Sequence, residues 1–114
     1  MLNQVVLVGR LVQDLQINKS EKGRKISNIT LAIPRSFKNV DGTYDTDFIK
    51  CIAFDGVAEN THEYCRKGDI VGIKGRVQSR VIEKEERRET VNEIIAEKVT
   101  FLSSKSKEDS LEKD

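Results

Sequence analysis

Two phenylalanines with a lysine between them lie at alternate positions in residues 47–54. β-Branched and aromatic residues dominate this stretch and no Gly or Pro interrupts it, which predicts a β-strand. Alternation then places four side chains on one side of the strand, here called the aromatic face: Phe48, Lys50, Ile52 and Phe54. Aromatic rings beside a cation form a surface on which nucleic-acid bases stack. Packing of both rings in the core is the alternative, and this strand alone leaves the two interpretations open.

The opposite side of the same strand carries Ile49, Cys51 and Ala53. Burial of this side costs less free energy than burial of the aromatic face, because burial of the Lys50 ammonium without a partner is unfavourable. A third aromatic residue, Phe37, follows Arg35 and Ser36 and precedes Lys38. An aromatic residue in such polar company is expected to be exposed.

A cationic strand face is predicted in residues 69–81. Val71, Ile73 and Val77 alternate there with a second set that contains Lys74, Arg76, Gln78 and Arg80. A solvated exterior is the ordinary fate of such a face, and a track for phosphates is the alternative.

Other chemistries find little support in the sequence. A partial metal site could be formed by His62, Cys65 and Cys51. Structural zinc, however, normally needs four ligands, usually with Cys-x-x-Cys or His-x-x-x-His pairs, and the sequence contains no such pair. The carboxylates of residues 83–89 are interleaved with Lys and Arg, as on a solvated loop. We therefore predict no enzyme activity, no cofactor and no metal site.

Length and composition predict one folded domain. The chain has 114 residues and a net charge of +1, and residues 1–102 hold 17 basic and 15 acidic residues, so any basic surface must come from placement. Two cysteines are too few for a disulfide framework. No apolar run approaches the ~18 residues of a membrane span, and the first residues do not resemble a signal peptide. We expect a soluble cytoplasmic protein.

The elements that position these residues are predicted to be five strands, at residues 4–12, 25–37, 47–54, 69–81 and 90–102. One helix, residues 57–66, separates the third and fourth strands, with Asp55 as its cap and Gly68 as its stop. Gly9 marks a bend, and residues 39–42 form a hairpin turn. Residues 83–89 are expected to form a mobile hairpin loop. This order predicts an all-β, five-stranded OB-fold barrel in residues 1–102, followed by a charged, disordered tail in residues 103–114.

Six short motifs resemble the bacterial single-stranded DNA-binding protein family. They are MLNQVVLVGRL (1–11), ITLA (29–32), DFI (47–49), AEN (58–60), RKGD (66–69) and GRVQSR (75–80). Each motif is weak alone, but together, in this order, they are specific. The resemblance runs collinearly from Met1 to about Leu102.

The resemblance implies a homotetramer, or a homodimer, that wraps single-stranded DNA. Apolar residues on both sides of the 4–12 strand agree with an oligomer. By position, the base-stacking aromatics of the family fall on Phe37, Phe48 and Phe54. A further aromatic of the family is replaced by Val81. The acidic tip through which replication and repair proteins dock is absent from this sequence, which ends in Leu-Glu-Lys-Asp.

The expected function is sequence-tolerant binding of single-stranded DNA, which protects single strands in replication, recombination and repair in the nucleoid. Bases would stack on the three phenylalanines. The candidates for phosphate contact are Arg10, Arg35, Lys50, Lys74, Arg76 and Arg80. The alternative is an assembly subunit with weak or no DNA binding, suggested by the near-neutral charge, by Val81 and by the absent tip.

Overall fold

The computed structural model describes residues 1–104, in which six strands and one helix follow one another. The elements are β1 (Val5–Leu11), β2 (Asn18–Lys19), β3 (Lys25–Lys38), β4 (Tyr44–Phe54), α1 (Asp55–Tyr64), β5 (Ile70–Lys84) and β6 (Arg87–Ser103). The predicted disordered tail lies outside the described residues, except for Ser104 and for Ser103, which ends β6. No helix within residues 1–104 combines the length and the apolar character that a membrane crossing needs.

The five long strands close into a barrel. Their order is β1-β5-β6-β4-β3, and β3 pairs again with β1, while the two-residue β2 pairs with β3 at the margin. The neighbours are antiparallel except β4 and β6, which run parallel at Cys51 and Ile52. The helix α1 joins the third and fourth long strands. The predicted five-stranded OB-fold barrel is therefore confirmed, and β2 is an addition to it.

The barrel interior is lined mainly by the aliphatic side chains of the strands. Ile29 and Leu31 of β3 are fully buried, as are Cys51 and Ala53 of β4. Full burial of an Ile or Leu side chain contributes about 1.5–3 kcal/mol. The face of β4 that carries Cys51 is therefore core, which decides the question that the sequence left open. Burial also raises the pKa of the Cys51 thiol from 9.0 to about 11, so this thiol stays protonated at neutral pH.

Gly9 lies where β1, which is paired with β5, comes close to its second partner strand, β3. The ladder of β1 with β5 runs without a register shift from Val5 to Arg10, and Arg10 then also pairs with β3. A Cβ on Gly9 would lie 2.8 Å from Cγ1 of Ile33 and 2.9 Å from the carbonyl oxygen of Ala32. The glycine thus marks a close approach of two strands, and no bulge occurs there.

The turns near β3 and β4 follow their local sequence. Gly42 has a φ of 87°, and the amide of Asn39 donates to the carbonyl of Thr43 across the predicted hairpin turn. Pro34 is the last residue of the regular ladder with β4, and the register shifts between Pro34 and Lys38. A proline cannot donate a ladder hydrogen bond, and it is tolerated here because it lies at the irregular end of the ladder.

The predicted helix cap at Asp55 is wrong. The helix begins at Asp55 itself, Phe54 is its N-cap residue, and no side chain caps the first turn. The Asp55 carboxylate instead accepts hydrogen bonds from Nε of Arg24 and from the amide of Lys25. A tertiary contact with the turn before β3 therefore takes the carboxylate away from the helix. At the other end, the guanidinium of Arg66 donates to the carbonyl of His62.

The predicted mobile loop at residues 83–89 is also wrong. The strands β5 and β6 stay paired as far as Lys84 and Arg87, and only two residues turn the chain. Glu85 and Glu86 have φ angles of 37° and 69°. Two consecutive positive φ angles match the twist of paired strands, so a tight turn forms although neither residue is glycine.

Gly75 is the glycine whose replacement should damage the fold. It lies at a register shift between β5 and β6, and a Cβ there would overlap the carbonyl oxygen of Ile95. Gly75→Ala is therefore expected to lower the free energy of unfolding by about 1–3 kcal/mol, measured by urea denaturation. Gly56→Ala is the control, because no atom lies within 4 Å of its Cβ position. Equal midpoints for the two variants would contradict the expected clash.

Candidate nucleic-acid interface

The aromatic face lies on the outside of the barrel. Phe48 is 67% exposed, Lys50 is exposed, and Ile52 and Phe54 are half-buried. The β3 residues opposite Phe48, Lys50 and Ile52 are, in turn, Ala32, Thr30 and Asn28. Cross-strand partners share a face of the sheet, and these small side chains leave room over the Phe48 ring. A planar ligand can therefore reach that ring from solvent.

Arg10 lies in the same row as Phe48. Arg10 of β1 pairs with Ala32 of β3, and Ala32 pairs with Phe48 of β4. Two strand spacings separate the backbones of Arg10 and Phe48, or about 10 Å. One guanidinium nitrogen of Arg10 donates to the carbonyl of Gly68 at 2.7 Å, which holds this side chain near the row.

Arg76 lies on the other side of the aromatic face. It pairs with Ile95 of β6, and Ile95 pairs with Ile52 of β4. Its guanidinium donates to Oε1 of Gln78 at 2.9 Å and lies 3.9 Å from a carboxylate oxygen of Glu97. Arg76 is thus two strand spacings from Ile52, as Arg10 is from Phe48, and Glu97 partly neutralises its charge.

The other candidate cations differ in their surroundings. Arg80 forms an ion pair with Glu93 on the β5–β6 hairpin. Lys74 lies between Val6 and Lys98 on the β1–β5–β6 side of the barrel, away from the aromatic face. Lys50 belongs to the aromatic face itself, and no residue in the range 1–104 forms an ion pair with it.

Arg35 is held by two carboxylates. Its Nη2 donates to Asp47 at 2.9 Å, its Nε lies 3.2 Å from the same carboxylate, and Asp45 is 3.5 Å away. The hydrogen bonds from Arg35 hold the pKa of Asp47 below its usual range, and Asp47 in turn raises the pKa of Arg35. A phosphate would have to displace these carboxylates to bind Arg35.

The three predicted stacking residues are not equivalent. Phe37 is 62% exposed and Phe48 is similarly open. One side of the Phe54 ring is covered by the guanidinium of Arg24, whose carbon lies 4.3 Å from the ring centroid. Arg24 is fixed by its ion pair with Asp55 at 3.1 Å. A base at Phe54 therefore meets either the uncovered part of the ring or the stacked guanidinium.

Sequence reasoning missed two residues beside the aromatic face. Arg24 is one of them, and no local signal pairs it with Phe54. The other is Tyr44, which begins β4 and is 51% exposed. Its even spacing from Phe48 would have placed it on the aromatic side, had the strand been extended back to residue 44. Val81 is also exposed on β5 and offers no ring.

No metal-ligand cluster is found in the part of the chain that the structure describes. Within residues 1–104, no three His, Cys, Asp or Glu side chains are grouped suitably for a metal ion. Cys51 and Cys65 are both free and buried.

Comparison with known proteins agrees with this geometry. Residues 2–102 match the Single-strand binding protein family. The chain belongs to this family. Among its relatives in the family, single-stranded DNA-binding protein B of Bacillus subtilis (strain 168) is 42% identical over 109 residues, which are 95% of this chain and 96% of that protein. The resemblance inferred from the six motifs is thus confirmed.

Longer members of the family share the same region. Single-stranded DNA-binding protein 1 of Staphylococcus aureus (strain COL) is 42% identical over 107 residues, which are 93% of this chain and 64% of that protein. A crystal structure of a deletion mutant of the single-stranded DNA binding protein from Thermus aquaticus superposes with a TM-score of 0.74. It is 24% identical and covers 90% of this chain and 51% of that one, so it supports the fold alone.

Removal of the Asp47 charge tests whether Arg35 is available to an anion. Asp47→Asn takes away the closest carboxylate and a negative charge next to Phe48. We expect tighter binding of labelled oligo-dT in fluorescence anisotropy and a log–log salt slope steeper by about 0.7, the contribution of one released counterion on a single strand. The control is Asp41→Asn, whose carboxylate instead bonds to Thr43 in the hairpin turn. Equal slopes for both variants would show that Arg35 does not contact the strand.

Proposed function

We propose that this chain binds single-stranded DNA without sequence preference and performs no chemistry on it. The observation that carries the proposal is the exposed Phe48 ring on the outer face of β4, which it shares with Lys50, a cation that has no ion pair within residues 1–104. The proposal is supported by a relative that matches over almost its whole length and is named a single-stranded DNA-binding protein.

Base stacking supplies the contacts in this proposal. Phe37, Phe48 and Phe54 each take a base, and every base has a π-face, so the sequence of the strand matters little. The stacking energy is ~1–3 kcal/mol per base. Phe48 is expected to contribute more than Phe54, because its ring is open, whereas Arg24 covers part of the Phe54 ring.

Cations around the aromatic face are proposed to contact the phosphates. Lys50 belongs to the aromatic face itself, and Arg10 and Arg76 each lie two strand spacings from it. Arg35 and Arg80 reach phosphates by exchanging their carboxylate partners, which is feasible because exposed ion pairs contribute little to stability. Lys74 contacts DNA only if the strand wraps around to the β1–β5–β6 side.

The cellular role that follows is protection of single strands in replication, recombination and repair, in the bacterial cytoplasm and at the nucleoid. The curated relatives are bacterial, which supports this location. Replication and repair proteins are possible partners.

A homotetramer is the proposed assembly, with a homodimer as the simpler form. Val6 and Val8 lie on the outer side of β1 and are 66% and 51% exposed. Adjacent exposed valines on a barrel strand favour coverage by another copy of the chain.

Light scattering tests the assembly. We expect a mass of about four times the 12.9 kDa of one chain, and Val8→Asp should lower it, because a carboxylate in an apolar interface is costly. Gln13→Asp, at an exposed position beyond the end of β1, is the matched control. A parent protein that scatters only as a 12.9 kDa species would refute the assembly.

Loss of the Phe48 ring tests the stacking itself. Phe48→Ala is expected to weaken oligo-dT binding by about 5- to 150-fold at one fixed salt concentration, since a stacked base is worth ~1–3 kcal/mol. Phe101→Ala is the matched control, because Phe101 is an exposed phenylalanine near the end of β6 that shares a cavity with Tyr64. Affinities that fall equally in both variants would argue against stacking on the aromatic face.

The second candidate function is an assembly subunit with weak or no DNA binding. Arg35, Arg76 and Arg80 all have carboxylate neighbours, which favours this alternative because few cations are left uncompensated. A salt titration of oligo-dT binding separates the two functions. Affinity that falls steeply with salt supports DNA binding, and no salt-sensitive binding at micromolar protein supports the assembly subunit.

A further inference from the structure

Tyr44 stands on the aromatic side of β4, beyond Phe48. At the register shift, three residues of β3 (35–37) lie opposite the single residue Asp45 of β4, so the extra residues are in β3 and β4 is regular from Tyr44 to Phe54. Residues 44 and 48 therefore point to the same side, about 14 Å apart along the strand. The Tyr44 ring is 51% exposed.

Lys38 accompanies this ring. It pairs with Tyr44 across the hairpin, and its ammonium lies 5.8 Å from the ring centroid. Tyr44 is thus an exposed ring with a cation beside it, and Phe48 shares its strand face with Lys50, two residues along. The exposed Phe37 directly precedes Lys38 in β3, so aromatic and basic groups continue from the barrel along the hairpin.

The hairpin does not need the Tyr44 ring to hold its shape. Its turn is fixed by the hydrogen bond from the Asn39 amide to the Thr43 carbonyl and by the bonds of Thr43 to Asp41. The nearby Asp45 points to the opposite side of β4 by alternation, and its carboxylate accepts from Asn39 and lies near Arg35. The acidic groups of the hairpin are thus bonded elsewhere and do not cover the ring.

We propose that Tyr44 and Lys38 form a fourth stacking position, in which a nucleobase of single-stranded DNA lies on the Tyr44 ring and Lys38 contacts the adjacent phosphate. This inference rests on the proposed function and extends it. The bound strand then runs past Phe48 and out along the β3–β4 hairpin, in the direction away from Phe54. Tyr44 supplies an aromatic ring in a protein whose Val81 position has none.

Tyrosine emission reports on this position directly. The chain has two tyrosines and no tryptophan, so Tyr44 is the only emitter in Tyr64→Phe, and Tyr64 is the only emitter in Tyr44→Phe. Tyr64 is the last residue of α1 and lines a cavity with Val99 and Phe101 of β6. Addition of unlabelled oligo-dT is expected to quench the emission of Tyr64→Phe. It should leave that of Tyr44→Phe unchanged after correction for absorbance by the oligonucleotide.

Affinity gives a second readout. Tyr44→Ala is expected to weaken binding of labelled oligo-dT by about 5- to 150-fold in anisotropy, whereas Tyr44→Phe keeps the ring and should bind like the parent. Lys38→Ala should flatten the log–log salt slope by about 0.7, and Lys38→Arg should restore it.

The outcomes separate this inference from the proposed function. If Tyr64→Phe binds labelled oligo-dT but its emission does not change, or if Tyr44→Ala binds as tightly as the parent, the fourth position is refuted and DNA binding stands. Equal quenching in both single-tyrosine variants also refutes it. If the parent itself shows no binding, the proposed function fails, and this inference fails with it.

Discussion

Burial of one side of β4 is the constraint on which the rest of the molecule depends. Cys51 and Ala53 fill the barrel interior, and a strand that turns alternate residues inward must turn the others outward. Phe48 and Lys50 therefore stand in solvent, and the core does not have to supply a partner for an ammonium group. Folding and the proposed binding share this strand, so the apolar core presents the aromatic face as a consequence of its own packing.

The basic side chains on this surface are mostly paired with carboxylates, and the chain has little excess positive charge. The chain carries a net charge of only +1, and Arg35 and Arg80 each have a carboxylate within bonding reach. Exposed pairs of this kind hold side chains in place at little energetic gain, so a polyanion can compete for them. Lys50, in the middle of the aromatic face, has no such partner within residues 1–104. Within the described residues, this surface therefore combines a cation that has no carboxylate partner with arginines that must exchange partners.

Much of the fold was predictable because its signals are local. Alternation placed Cys51 and Ala53 together on the side of β4 that favours burial, and the turn at residues 39–42 followed from its Asp-Gly pair. The predictions failed where a distant contact overrode a local signal. The local sequence predicts that Asp55 caps the helix, but its carboxylate accepts a hydrogen bond from Arg24, thirty-one residues away. The charged composition of residues 83–89 predicts a loop, but β5 and β6 remain paired as far as Lys84 and Arg87, and the turn between them has only two residues.

The sequence by itself determined the family, the strands and the two sides of β4, because alternation has a period of two and needs no knowledge of distant residues. Only the tertiary structure decided which side is buried and what surrounds the exposed one. Closure of the barrel brings Arg10 into the row of Phe48, and pairing along β3 and β4 places Arg24 over Phe54. Both contacts join residues that are far apart in the chain, and the register that aligns them is set by packing of the whole core.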